Sequence, residues 1–287
     1  MISLLVEGIF HWGFSVRYIT ESAGSQQYPV PPPSTLIGAL AYGLSAVKGL
    51  PEFDYIQERR GEKLVSGAYR LRKAVLWATF SFASGNTAAV EYSDFIRSFR
   101  LIYQRGTRHT WDQKDMWFAV SASGKVYACN SAFKALYLFN SDELQNLRIK
   151  LEDLIHASFS IVRIGSRESL VSIKKVTPSS SIEEVKAPLE TEYYFPLKLA
   201  NSSNVNNYSV AALPKLSDAL WEVRPMQPPM ISDHEEYYLP ATIGPIKIPG
   251  RIRVDKLNEN AVALKINFDH SSELVIVPRE VVERWLR

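Results

Sequence analysis

Hydrophobic positions along the chain fall into two rhythms. Leu4, Val6, Ile9 and Phe10 crowd the opening run as in a buried strand, and Phe14, Val16 and Tyr18 continue it in alternation. Leu36, Ile37, Leu40, Ala41, Leu44 and Val47 instead follow helical spacing, and Ser34 or Thr35 is of a type that caps such a helix. Residues 73–82 and 132–139 have the length and composition of strands. A second helix is predicted from Ser141. Asp142 and Glu143 suit the positive end of its dipole, and Leu144, Leu147, Leu151, Leu154 and Ile155 share one face. Phe159–Ile164 and Leu170–Val176 read as strands on either side of the polar loop Gly165-Ser-Arg-Glu-Ser169.

That order, strand–helix–strand–strand–helix–strand, predicts an α+β chain whose first domain has the ferredoxin-like topology of RNA-recognition motifs. Between the second and third strands, residues 84–130 are too many for a turn and predict an inserted arm. Proline marks a boundary: none of the 16 lies between Glu52 and Thr177, and 11 lie from Pro178 onward. With the polar run Thr177-Pro-Ser-Ser-Ser181 reading as a linker or turn, two domains are expected, 1–177 and 178–287. The second is smaller and mostly β. Its strands are expected near 208–213, 250–254, 261–268 and 272–277, with a closing helix at 279–286.

Hydrophobic residues make up 46% and charged residues 22%, enough for a packed core and too apolar for disorder. The net charge of +3 discriminates little, but its distribution does more. Residues 59–114 carry eleven Lys or Arg against four acids, a local +7. Such concentration suits a polyanion and equally a solvated basic face. The single cysteine, Cys129, excludes an intrachain disulfide and a cysteine-rich zinc site. The longest apolar stretch, Leu36–Val47, is too short to span a bilayer, and Glu7 interrupts the first apolar run of an N-terminus without a basic region. A cytoplasmic protein without a membrane partner is expected.

Three features carry candidate chemistry. In Tyr28-Pro-Val-Pro-Pro-Pro-Ser-Thr-Leu-Ile-Gly38, prolines hold the chain extended, and Ser34 and Thr35 open a helix whose first N–H groups can meet a phosphate. Gly38 leaves that approach clear, or else serves close helix–sheet packing. The loop Gly165–Ser169, with Arg163 before it, offers N–H groups and the Arg167 guanidinium to an anion, or is a plain hairpin turn. The arm interleaves Phe95, Arg97, Phe99, Arg100, Tyr103, Arg105, Arg108, His109 and Trp111. Cations hold a nucleic-acid backbone while rings stack bases, although the same composition serves protein interfaces. Enzyme signals are sparse. The five histidines have no metal-ligand spacing, and no metal or cofactor is expected.

The proline-rich helix start, Tyr28 to Leu40, and Arg163-Ile-Gly-Ser-Arg-Glu-Ser-Leu-Val-Ser-Ile173 resemble CRISPR-associated protein family five of the RAMP superfamily. The resemblance covers roughly residues 1–177 and is nearest the archaeal type I-A branch. It implies a subunit of a Cascade surveillance complex that caps the 5′ handle of the CRISPR RNA. Its partners would be the RAMP backbone subunit, the large subunit and, through the complex, target DNA. The RNA-binding residues implied are Ser34, Thr35, Gly38, Arg163, Gly165, Ser166 and Arg167, with Arg97, Arg100, Arg105 and Arg108 of the arm. One branch, in type I-C systems, is itself a metal-independent endoribonuclease using a tyrosine and a Lys-His pair. Tyr28 and Arg108-His109 stand in comparable places here, with Arg for Lys. A protein–protein scaffold is the reading that needs no RNA.

Overall fold

The computed structural model describes residues 1–18, 27–58, 61–82, 88–99, 118–201, 208–223, 233–242 and 246–286. Strands predominate and helices are few. In chain order the first half contains β1 (Ile2–Phe10), β2 (Gly13–Phe14), α1 (Pro33–Lys48), β3 (Phe53–Glu58), β4 (Gly61–Ser66), α2 (Ala68–Ala74) and β5 (Val75–Phe82). There follow β6 (Ala89–Phe99), β7 (Phe118–Tyr127), β8 (Ala132–Phe139), α3 (Ser141–Asn146), α4 (Leu151–Phe159) and β9 (Val171–Ser179).

Four of the apolar runs read as strands, the opening run, 73–82, 132–139 and 170–176, build one antiparallel sheet, in the order β5-β8-β1-β9. β1 lies inside it, and its Leu4, Leu5 and Val6 are buried accordingly. It pairs with β8 from Ile2↔Phe139 to Ile9↔Ala132, and with β9 from Ser3↔Ser179 to Phe10↔Val171. Helices α1 and α4 pack on the sheet and on each other. Their approach depends on Gly43, where a Cβ would stand 2.0 Å from the Ala157 carbonyl oxygen.

Several boundaries differ from those expected. α1 begins at Pro33, with Pro32 in the cap position and no side-chain cap from Ser34 or Thr35. Proline's fixed φ suits that first position, and it has no N–H to leave unpaired. The second helix is broken in two. Asn140, rather than Ser141, caps α3, its Oδ1 accepting from the Asp142 and Glu143 N–H groups at 2.9 and 3.4 Å. Arg148 then takes a φ of 55°, and α4 restarts where Asp153 accepts the Lys150 N–H at 2.9 Å. Phe159–Ile164 is not a strand. α4 ends at Phe159, and Arg163 makes a single bridge to Leu170. That apolar run alternates instead between exposed Phe159 and Val162 and buried Ile161 and Ile164.

The expected arm is a hairpin over its described length. β6 and β7 pair from Val90↔Tyr127 to Phe99↔Phe118, and β2 joins through Gly13↔Tyr127. Residues 100–117, between β6 and β7 in the chain, lie outside the described residues. Thr177–Ser181 is the end of β9 and a two-residue turn into the strand Ile182–Val185. The strands Ala261–Phe268 and Ser271–Pro278 pair, and the closing helix spans Arg279–Leu286. The main buried cluster combines Phe10, Leu40, Phe80 and Leu136 with Tyr193, Tyr194, Leu213 and Val277. Tyr194 ties the halves by hydrogen bonds: its hydroxyl donates to the Pro31 carbonyl at 3.1 Å, and its carbonyl accepts from Thr79 at 2.8 Å. Among the described residues no helix is long and apolar enough to cross a membrane.

Candidate nucleic-acid interface

β2 carries the chain from the main sheet onto β7. It passes so close that a Cβ at Gly13 would stand 1.9 Å from the Val126 carbonyl oxygen. The segment beyond it runs beneath the loop Gly165–Ser169 and holds it. Ser166 N–H donates to the Ser15 carbonyl at 2.9 Å, and Ser15 N–H donates to Ser169 Oγ at 3.0 Å. Within the loop, Ser169 N–H donates to the Ser166 carbonyl at 3.0 Å, and their hydroxyls lie 2.9 Å apart. Trp12 Nε1–H donates to the Glu168 carbonyl. Gly165 sits at φ +110°, and a Cβ there would stand 2.8 Å from the Ser15 carbonyl oxygen, so glycine is needed on both counts.

The loop forms one wall of a groove of about 800 Å³. Three cations line it, Arg17, Lys125 and Arg167, together with the rings of Trp12, Tyr92 and Tyr127. Tyr127 is exposed and lies between the other two rings, at 5.8 Å from Trp12 and 5.4 Å from Tyr92. The single acid among the described residues of the groove, Glu168, is held below the usual carboxyl range. Its own backbone N–H contributes most, then the Ser166 hydroxyl, with weaker attraction from Lys125 and Arg167. Cations beside exposed rings can hold phosphates and stack bases together.

A second hollow of about 650 Å³ adjoins the first and shares Thr35 and Gly165 with it. Gly38, Tyr42, Glu52, Phe53, Arg163 and Trp221 line it. The Arg163 guanidinium lies 5.3 Å from the centroid of the Tyr42 ring. A Cβ at Gly38 would meet nothing within 4 Å, so this glycine is not there for close helix packing.

Of the residues singled out in the sequence, Thr35, Gly38, Arg163, Gly165, Ser166 and Arg167 thus come together on these two surfaces. Ser34 stands half-buried in the first turn of α1. The backbone donors do less than expected. Thr35 and Leu36 N–H groups donate to the Pro32 carbonyl at 2.9 and 3.2 Å, and those of Ser166 and Ser169 are spent as above. Arg97 lies on β6 with its side chain undescribed, and Arg100, Arg105, Arg108 and His109 lie outside the described residues. Tyr28 is fully buried. Its ring stacks on Tyr18 at 4.3 Å and its hydroxyl lies 3.0 Å from His234 Nε2. Trp12, Arg17, Tyr92, Lys125 and Tyr127 were not foreseen. They come from distant segments that only the β2–β7 and β6–β7 pairings join, so no spacing could have signalled them.

No protein-family model matches the chain. CRISPR-associated protein Cas5 2 of Saccharolobus solfataricus is 28% identical over 285 residues, 99% of either chain. CRISPR system aCascade subunit Cas5 1 of the same organism is 30% identical over 185 residues, 64% of this chain and 68% of that protein. A solved CRISPR protein from Archaeoglobus fulgidus superposes with a TM-score of 0.57 at 17% identity, covering 97% of this chain and 100% of the other. That likeness establishes a shared fold, and the sequence relationships establish the lineage. On these grounds the chain belongs to the Cas5 family of CRISPR-associated proteins.

Proposed function

We propose that this chain binds the 5′ handle of a CRISPR RNA within an archaeal type I-A Cascade, and that it binds the RNA without cutting it. The observation that carries the proposal is the groove in which Arg17, Lys125 and Arg167 stand among three aromatic rings. A relative named as an aCascade subunit supports membership of such an assembly, and the RAMP backbone and large subunits are the partners proposed. The sheet order β5-β8-β1-β9 with α1 and α4 packed on it also supports a ferredoxin-like first domain. Against a nuclease stands Tyr28, whose buried hydroxyl is engaged with His234 rather than open to a ribose.

Each cation that neutralises a phosphate on a single strand contributes roughly 0.7 to the slope of log affinity against log salt. Replacing Arg17, Lys125 and Arg167 together by Ala flattens the slope by about 2 in a titration with handle RNA. An unchanged slope would overturn the groove as the phosphate site. In EDTA, a labelled repeat RNA stays intact. Site-specific cutting abolished by Tyr28→Phe would make the endoribonuclease reading correct.

A further inference from the structure

The hollow beside α1 differs in chemistry from the groove it joins. The groove is lined by three cations and one acid, the hollow by one of each, Arg163 and Glu52. The hollow has as many rings as the groove, Tyr42, Phe53 and Trp221, but without the groove's excess of cations. Tyr42 is 45% exposed and Phe53 is 53% exposed, so two large rings border a concave space without being packed into the core. Trp221 is almost fully buried, and its indole N–H has no hydrogen-bond partner among the described residues. A phosphate would find no net attraction here. A planar, hydrogen-bonding heterocycle finds rings to stack on, a carboxylate to accept from its amino groups and a volume of the size that ligand sites occupy.

We infer that this hollow seats one unstacked nucleobase of the RNA whose phosphates run through the adjoining groove, an inference that rests on the RNA-binding reading above. Thr35 and Gly165 line both spaces, so a ribose between the two bridges a phosphate on one side and a base on the other. Tyr42 and Phe53 supply the stacking faces, and the Arg163 guanidinium over Tyr42 extends the stack with a cation–π contact. Stacking of this kind tolerates any base, while Glu52 favours bases that carry an amino group over uracil. The bare backbone at Gly38 keeps the hollow open, because no protein atom lies where its side chain would be.

The test uses the full chain and a labelled single-stranded handle RNA, together with a set of the same RNA made abasic at one position at a time. Base stacking on an aromatic residue is worth roughly tenfold in affinity. One abasic position therefore weakens binding about tenfold, and Tyr42→Ala with Phe53→Ala weakens binding of intact RNA by a similar factor. The two losses do not add: the double variant and the wild type bind that abasic RNA alike. Gly38→Leu, whose Cβ meets no protein atom within 4 Å and which favours the helix over glycine, projects into the hollow and gives the same pattern with unreduced thermal stability. If these variants bind every RNA as the wild type does, while the triple cation variant loses its salt dependence, the base site is wrong and the phosphate groove stands. If they weaken all abasic RNAs equally, the hollow acts on folding or holds a protein, and the inference is again overturned. If the wild type binds no RNA, both readings fall.

Discussion

Around the start of α1 the backbone is enclosed. Pro31, Pro32, Pro33 and Leu36 are buried, and two tyrosine hydroxyls hold the segment from within, Tyr194 on the Pro31 carbonyl and Tyr137 on that of Leu36 at 3.0 Å. The loop Gly165–Ser169 is also tied by hydrogen bonds, but it lies at the surface with Arg167 and Glu168 exposed. Both regions spend part of their N–H groups internally, those of Thr35 and Leu36 in one and of Ser166 and Ser169 in the other. The buried side of the helix start is a joint of the core, while Thr35 and Gly38 on its other side line the two surface spaces. The loop is a rigid mount for side chains, and in the proposed function recognition of phosphate rests on the cations it and its neighbours display.

The sharpest test of that difference is Leu36→Ala. Its side chain is fully buried, and truncation costs about 2–5 kcal/mol in denaturant unfolding. The RNA affinity of the folded fraction stays unchanged, and an affinity loss in the folded protein would mean that the buried face of α1 sets the position of Thr35 and Gly38 on the groove and the hollow. Arg167→Ala reverses the pattern. It weakens RNA binding by about 1.5–3 kcal/mol, as for a lost charge-assisted contact, and moves stability by less than about 0.5 kcal/mol. A drop in melting temperature with intact affinity would mark Arg167 as structural.

Gly165→Ala falls between these extremes, because strain at φ +110° costs about 1–3 kcal/mol and shifts the mount on which Arg167 stands. Both stability and affinity decline, and the loss of affinity exceeds that from unfolding alone. The smallest effect belongs to Glu168. Its folded carboxyl titrates below the ordinary value, so its contribution is present above the unfolded pKa and disappears as pH falls through the depressed one. Urea midpoints of wild type and Glu168→Gln therefore differ slightly at neutral pH and converge in acid. A gap that widens in acid would contradict the hydrogen bonds drawn to that carboxylate.

Long periodic runs were legible in the sequence. Leu36 to Leu44 and Ala261 to Phe268 have spacings that fix their element types without help from the rest of the chain. The break between α3 and α4 was not, because the leucine stripe continues across it while Arg148 turns to positive φ. The β3–β4 hairpin was also missed. Its aromatic residues Phe53 and Tyr55 are exposed, so the strand lacks the buried alternation that announces one. For the site, contiguous motifs pointed to Thr35, Gly38 and Gly165–Arg167. Arg17 and Lys125 belong to no motif and become neighbours only once the sheets have formed.

The hydrogen bond from Tyr194 to Pro31 also has a bearing on time. The two residues are 163 positions apart. At the usual ribosomal pace of 5–20 residues per second, Pro31 is made roughly 8–30 s before Tyr194 appears. Throughout that interval the Pro31 carbonyl beneath α1 lacks the hydroxyl that donates to it in the folded chain. The nascent chain therefore holds the start of α1 in an unfinished setting until Tyr194 is made. Slowing synthesis between codons 80 and 194 lengthens the period in which that joint is open.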